Sequence, residues 1–206
     1  MIITNKMIKN NYKNISNRDN KLSRDVRDGK YIRIINGLYE TDPNTSSYLL
    51  AGSIYGPSYI SFEYALSVYG LIPERLEIVT CATYNKKKKK KYVTPFGIYT
   101  YRDVPINAYP EEILLREEGD YSYQIASPEK AVCDKLYTLS PLNNYSNLEI
   151  MLFNDLRFDE YEFNKLDIDK IEKLSKLYHS TNIILLVGYM KKRERSKKYG
   201  KENKSK

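Results

Sequence analysis

The sequence predicts an α+β fold in three consecutive parts. Residues 1–42 form a short helix–helix–hairpin segment, residues 43–190 a mixed α/β body closed by C-terminal helices, and residues 191–206 a basic, disordered tail. Three observations carry this reading. Two short amphipathic stretches precede an Asn-Gly dipeptide flanked by β-branched and aromatic residues. Helical and strand-like hydrophobic periods then alternate through the middle of the chain. Charge is also regional. Residues 1–41 hold nine basic and four acidic side chains, a balance of +5; residues 42–190 hold sixteen and twenty, a balance of −4; residues 191–206 hold nine and two, a balance of +7. Basic ends on an acidic middle suggest a polyanionic partner at the ends, or simply solvated lysine-rich tails.

Residues 5–12 read as a short helix with Met7 and Ile8 facing inward, followed by a turn at Asn14-Ile15-Ser16. Residues 17–28 read as a second helix. Leu22 and Val26 lie at i and i+4 on one face, Lys21, Arg24 and Arg27 lie opposite, Ser16 or Asn17 caps the start, and Gly29 stops the end. Asn36-Gly37 then signals a two-residue type I′ hairpin. That register pairs Ile35 with Leu38, Ile34 with Tyr39, and Arg33 with Glu40, the last an opposite-charge pair across the strands.

Helix, turn, basic helix and basic hairpin is the order of a winged helix-turn-helix. In that motif the second helix enters the major groove and the hairpin, or wing, rests on the neighbouring backbone. Phosphate contacts by such a wing position the protein without reading sequence. The same pattern also suits an N-terminal cap on a larger fold. A full winged helix has about three helices before its wing, and 28 residues precede Gly29 here, so the first helix is expected to be short or missing.

In the body, residues 45–55 and 61–69 read as helices, the second with Ser61 as N-cap and a stripe of Phe62, Ala65, Leu66 and Tyr69. Residues 76–81, a segment within 92–104, and residues 121–126 read as strands. The lysine run 86–91 reads as a loop or hairpin tip. Ser127-Pro128-Glu129 starts a helix that continues to 139: serine caps, proline takes the first turn, and glutamate suits the positive end of the dipole. Residues 148–156, 168–178 and 181–193 read as three more helices, the last closing the core.

Several function classes find little support. No stretch approaches the roughly 18 apolar residues of a membrane span, and the first 14 residues hold no signal-peptide core. Cys81 and Cys133 lie far apart and His179 is the single histidine, which leaves zinc without a ligand set. A reducing cytoplasm is the simplest compartment for the two cysteines. Glu63, Glu77, Asp103 and Asp120 are scattered, and the weak nuclease echo Glu162-Phe163-Asn164-Lys165 lies in a loop or helix. Cys133 falls on an amphipathic helix with nothing to place His179 beside it as a base. No glycine-rich phosphate loop occurs. The expectation is a protein without catalysis, cofactor or metal.

Five motifs in order then bear a resemblance: PSYISFEYAL at 57–66, GLIPE at 70–74, VT at 79–80, TPFG at 94–97 and IASPEKAVCD at 125–134. With RDGKYIRIINGLY at 27–39, this set resembles the AbiEi antitoxins of type IV, abortive-infection (phage defence) toxin–antitoxin systems, over residues 17–139. The resemblance implies a cytoplasmic antitoxin whose N-terminal winged helix binds inverted repeats in its own promoter and represses transcription. It also implies a body that opposes a nucleotidyltransferase-like toxin without a stable complex between them. The expected contacts to double-stranded DNA are Arg18, Lys21, Ser23, Arg24 and Arg27 on the helix, with Lys30, Tyr31 and Arg33 on the wing. Lys86, Lys87, Lys88, Lys89, Lys90 and Lys91 are either a further nucleic-acid contact or an inert loop. The alternative is an interaction module that does not bind DNA, in which the α/β body alone carries antitoxin activity.

Overall fold

The computed structural model describes the backbone of residues 1–202 and the side chains of residues 1–196. At the N-terminus, β1 (Ile2–Thr4), α1 (Asn5–Asn11), α2 (Arg18–Arg27), β2 (Ile32–Ile35) and β3 (Leu38–Glu40) form a unit whose three strands are ordered β1-β3-β2. Each helix starts as its sequence dictates. Thr4 caps α1 by accepting from the Met7 amide, and Asn17 caps α2 by accepting from the Asn20 amide at 3.0 Å. Gly29 follows α2 with φ +77°, a conformation open to glycine without strain. Ile3, Ile8, Tyr12, Leu22, Tyr31 and Tyr39 close a small core of their own, separate from that of the body. Ile34 and Leu38 point the other way, into the main core.

Three details of this unit differ from expectation. β1 is an added strand, too short to carry a period in sequence. Met7 is about half exposed while Ile8 is sealed, because a seven-residue helix on one small sheet buries a single narrow stripe. The hairpin keeps Ile35 opposite Leu38 but bulges at Ile34, so Arg33 faces Tyr39 and Ile32 faces Glu40. The Arg33–Glu40 pair is therefore not formed. Gly37 takes φ +81° while Asn36 stays out of the left-handed region, so the turn is not type I′, which requires positive φ at both residues.

The body is a six-stranded mixed sheet ordered β6-β7-β5-β4-β9-β8: β4 (Tyr59–Ile60), β5 (Ile78–Thr83), β6 (Lys90–Thr94), β7 (Gly97–Asp103), β8 (Ile113–Glu118) and β9 (Tyr121–Ala126). β5 runs parallel to β7 and β4 parallel to β9; the other neighbours are antiparallel. The segment 92–104 is thus two strands folded at Thr94-Pro95-Phe96-Gly97, and Lys90 and Lys91 belong to an edge strand rather than a loop. α3 (Ser47–Ile54) covers one face. Tyr99 and Tyr101 reach it by donating to the carbonyls of Ser47 (2.9 Å) and Ala51 (2.7 Å). Two residues along a strand advance ~6.6 Å and four along a helix ~6 Å, so the two phenols match successive turns.

The other face carries α4 (Phe62–Val68) and α5 (Pro128–Tyr137), backed by α6 (Tyr145–Glu149), which runs on into a π-helical turn (Ile150–Asp155), then α7 (Glu160–Phe163), α8 (Ile168–Tyr178) and α9 (Thr181–Glu202). Ile183, Leu186, Val187, Tyr189 and Met190 of α9 close the core. The expected disordered tail from 191 is instead helical to Glu202, held by Lys191 to Glu172 (2.7 Å) and Arg193 to Glu160 (3.0 Å). Residues 203–206 of that expectation lie outside the described residues.

Candidate nucleic-acid interface

α2 buries Leu22 and Asp25 and half-buries Val26. At 100° per residue, Ser23, Arg24 and Arg27 fall on the opposite side, and all three are exposed. Among the described residues Arg24 makes no ion pair, and Arg27 meets only Asp28 of its own helix end, at 3.7 Å with both groups exposed. An exposed pair of that kind is worth little and yields readily to a phosphate. Arg18 is exposed at the helix start and donates to the Lys13 carbonyl at 3.3 Å. Arg33 is exposed on the hairpin with its guanidinium 5.9 Å from the centre of the Tyr39 ring.

Two expected contacts are engaged elsewhere, and a third is buried. Lys21 is half-buried and donates to Asp25 at 2.6 Å, and Lys30 lies 3.8 Å from the same carboxylate. Asp25 also accepts from the Tyr12 hydroxyl. Lys21, Tyr12 and Lys30 hold its carboxyl below the usual range, against the opposing effect of burial. Tyr31 is not a surface contact. It is 5 % exposed and packs edge-to-face on Tyr39, because the bulge turns it into the small core. The candidate interface that remains is Ser23, Arg24 and Arg27 on one side of α2, with Arg33 on the hairpin and Lys30 exposed beside it; Arg18, nine residues before Arg27, falls on the other side of the helix.

Two of the body motifs, 57–66 and 125–134, meet in a second feature. Asp134 of α5 is fully buried and accepts from Tyr59 (3.0 Å), from Ser61 (2.5 Å) and from Tyr178, while Lys130 of the preceding turn lies 3.8 Å away, equally buried, and donates to the Ala108 carbonyl. Ser61 stands at the α4 N-cap position as expected, yet its hydroxyl serves Asp134 rather than the helix. Burial pushes Asp134 up and Lys130 down from their ordinary values. The cluster ties β4, α5 and α8 together with every member buried, the arrangement of a structural clamp. Among the described residues, no cluster of three His, Cys, Asp or Glu side chains could hold a metal. Cys81 and Cys133 are free, buried thiols, pushed up by desolvation, and His179 ends α8 in a left-handed turn on the exposed surface.

A third feature is a 550 Å³ cleft at the β6–β7 edge, lined by Lys87, Lys88, Lys89, Arg102, Asp103 and Lys135 among others. Asp103 fastens the lysine loop by accepting from the Lys87 amide (2.7 Å) and the Thr83 hydroxyl (2.6 Å). Glu63 holds both Lys135 (2.7 Å) and Arg102, whose guanidinium also lies 4.1 Å over the Phe62 ring. Lys86 turns aside, donating to the Gly56 carbonyl at 3.0 Å beside Tyr55. A second cleft of 310 Å³ adjoins the first, sharing Lys89 and Arg102 and adding Lys90 and Lys91. The contributions of Arg102 and Lys135 had no local signal in sequence: each sits inside an ordinary strand or helix pattern.

The chain matches no family model and no curated protein.

Proposed function

We propose that the protein is an AbiEi-like antitoxin that also represses its own promoter. α2 would enter the major groove of double-stranded DNA and the β2–β3 hairpin would rest on the backbone. The observation that carries the DNA-binding part is geometric. A unit of two helices and a three-stranded sheet, with a small core of its own, presents Ser23, Arg24 and Arg27 outward from one helix, with Arg33 on the hairpin that follows. The antitoxin part rests on the resemblance of the body motifs, two of which meet in the Asp134 clamp. A nucleotidyltransferase-like toxin, opposed without a stable complex, is the functional partner in this reading, and the compartment is the cytoplasm.

Full-length protein with Arg24→Ala and Arg27→Ala, titrated onto its own promoter fragment, tests the reading. Arginines bidentate to base edges are worth about 1–3 kcal/mol each, so a fall in affinity of at least tenfold is expected. Unchanged affinity would refute groove entry by α2. A second reading is favoured by the engagement of Lys21 and Lys30 with Asp25, which leaves the N-terminal unit fewer free cations than its composition suggests. In it the N-terminal unit binds no DNA and the body alone neutralises the toxin, so parent and double variant would protect cells equally and neither would bind the promoter.

A further inference from the structure

We propose that the cleft between the lysine loop and the C-terminal end of α5 is a second nucleic-acid site, holding the phosphate backbone of duplex DNA without reading its bases. Among the described residues, none of Lys87, Lys88, Lys89, Lys90 and Lys91 takes part in an ion pair. Both nearby carboxylates are committed to building the site. Asp103 fixes the loop backbone and Glu63 fixes Arg102 and Lys135 in the wall. At the C-terminal end of α5, where free carbonyls would repel an anion, the Leu136 carbonyl accepts from the Asn182 amide at 3.1 Å and the Lys135 carbonyl from the Thr138 hydroxyl at 2.8 Å. The wall therefore presents a surplus of positive charge with its acidic groups turned to structural use.

Protection of a sheet edge by lysine explains Lys90 and Lys91 on β6. It does not explain Lys87 to Lys89, which precede the strand and line the cleft. The two adjoining clefts run along the edge as an open track, which suits a polymer better than a compact ligand. Proteins that hold single strands stack bases on aromatic side chains. In this track the aromatic lining residue, Tyr101, is sealed, its hydroxyl bound to the Ala51 carbonyl, and offers no ring to a base. A backbone whose bases remain paired is the occupant that this lining fits. The identity of the duplex as DNA rests on the reading of α2 given above.

The test uses full-length protein and a 30-base-pair duplex, with binding followed by fluorescence anisotropy across a salt series. Each phosphate neutralised contributes about −0.9 to the slope of log affinity against log salt. Lys88→Ala with Lys89→Ala should flatten that slope by roughly 1.8, on promoter and unrelated DNA alike. Lys165→Ala with Lys173→Ala removes two cations outside the cleft and should leave it unchanged. Equal flattening by both pairs, or by neither, overturns the proposal. So does lysine-dependent binding that is tighter for a single strand or for duplex RNA. Arg24→Ala with Arg27→Ala should abolish the preference for promoter while the cleft lysines still govern the slope. If that preference survives, the reading of α2 fails separately from the cleft.

Discussion

Replacing Asp134 by asparagine keeps the shape of the side chain and removes its charge from a site with no solvent contact. The hydroxyls of Tyr59, Ser61 and Tyr178 can still donate to the asparagine carbonyl or rotate to accept from its amide. What is lost is the counter-charge 3.8 Å from Lys130, whose ammonium is left with the Ala108 carbonyl and the faces of the Tyr178 ring (4.8 Å) and the Tyr59 ring (5.6 Å). Leaving one partner of a buried pair uncompensated costs about 3–5 kcal/mol. Because the hydroxyl bonds survive, the lower end of that range is expected, about 3 kcal/mol. For a chain of this length that is a fall in melting temperature of roughly 6–12 °C. Urea denaturation should show a lower midpoint at an unchanged slope. Adding Lys130→Met removes the stranded ammonium and should recover part of the loss, so the two substitutions are not additive. Melting of Asp134→Asn within 2 °C of the parent, or a double variant that loses the full sum, would refute the clamp.

Two further outcomes follow from the same kind of accounting. Asp25→Asn frees Lys21 and Lys30 but removes the acceptor that Tyr12 and both lysines share in the small core. The N-terminal unit should exchange its amide hydrogens faster while the body is unaffected, and nonspecific DNA binding should rise. Because the Asp25 carboxyl is held below its ordinary value near 3.9, it stabilises the folded unit above that pH and loses the contribution as pH falls through its own lower value. The unit should therefore loosen below about pH 4 in the parent, and Asp25→Asn should lack that step. Cys81 and Cys133 are sealed and pushed up by burial, so a thiol reagent at pH 8 should label neither until denaturant unfolds the body; rapid labelling of the native protein would contradict the packing of β5 and α5.

Signals that act within a few residues were legible in the sequence. Asn17 and Gly29 bracket α2, Ser127 and Pro128 start α5, and Leu22 and Val26 set which side of α2 turns inward, leaving Arg24 and Arg27 outside. These depend on caps, backbone freedom and period, which a chain carries locally. β1, β4 and β8 were not legible, since strands of two or three residues have no period and a charged edge strand such as β8 reads as a loop. The bulge at Ile34 was hidden as well, and with it the burial of Tyr31 and the partner of Arg33. Asn-Gly announces a turn, whereas the register also depends on which side chains the small core accepts.

For the candidate sites, the sequence by itself determined where positive charge is concentrated and which helix exposes it. Tertiary structure decided which of those charges are free. Asp25 engages Lys21 and Lys30, Glu63 gathers Arg102 and Lys135 from elements 33 residues apart in the chain, and Asp103 turns a lysine run into the wall of a cleft. Whether a cation faces water or a carboxylate depends on distances between segments remote in sequence, and those are fixed only when sheet and helices pack.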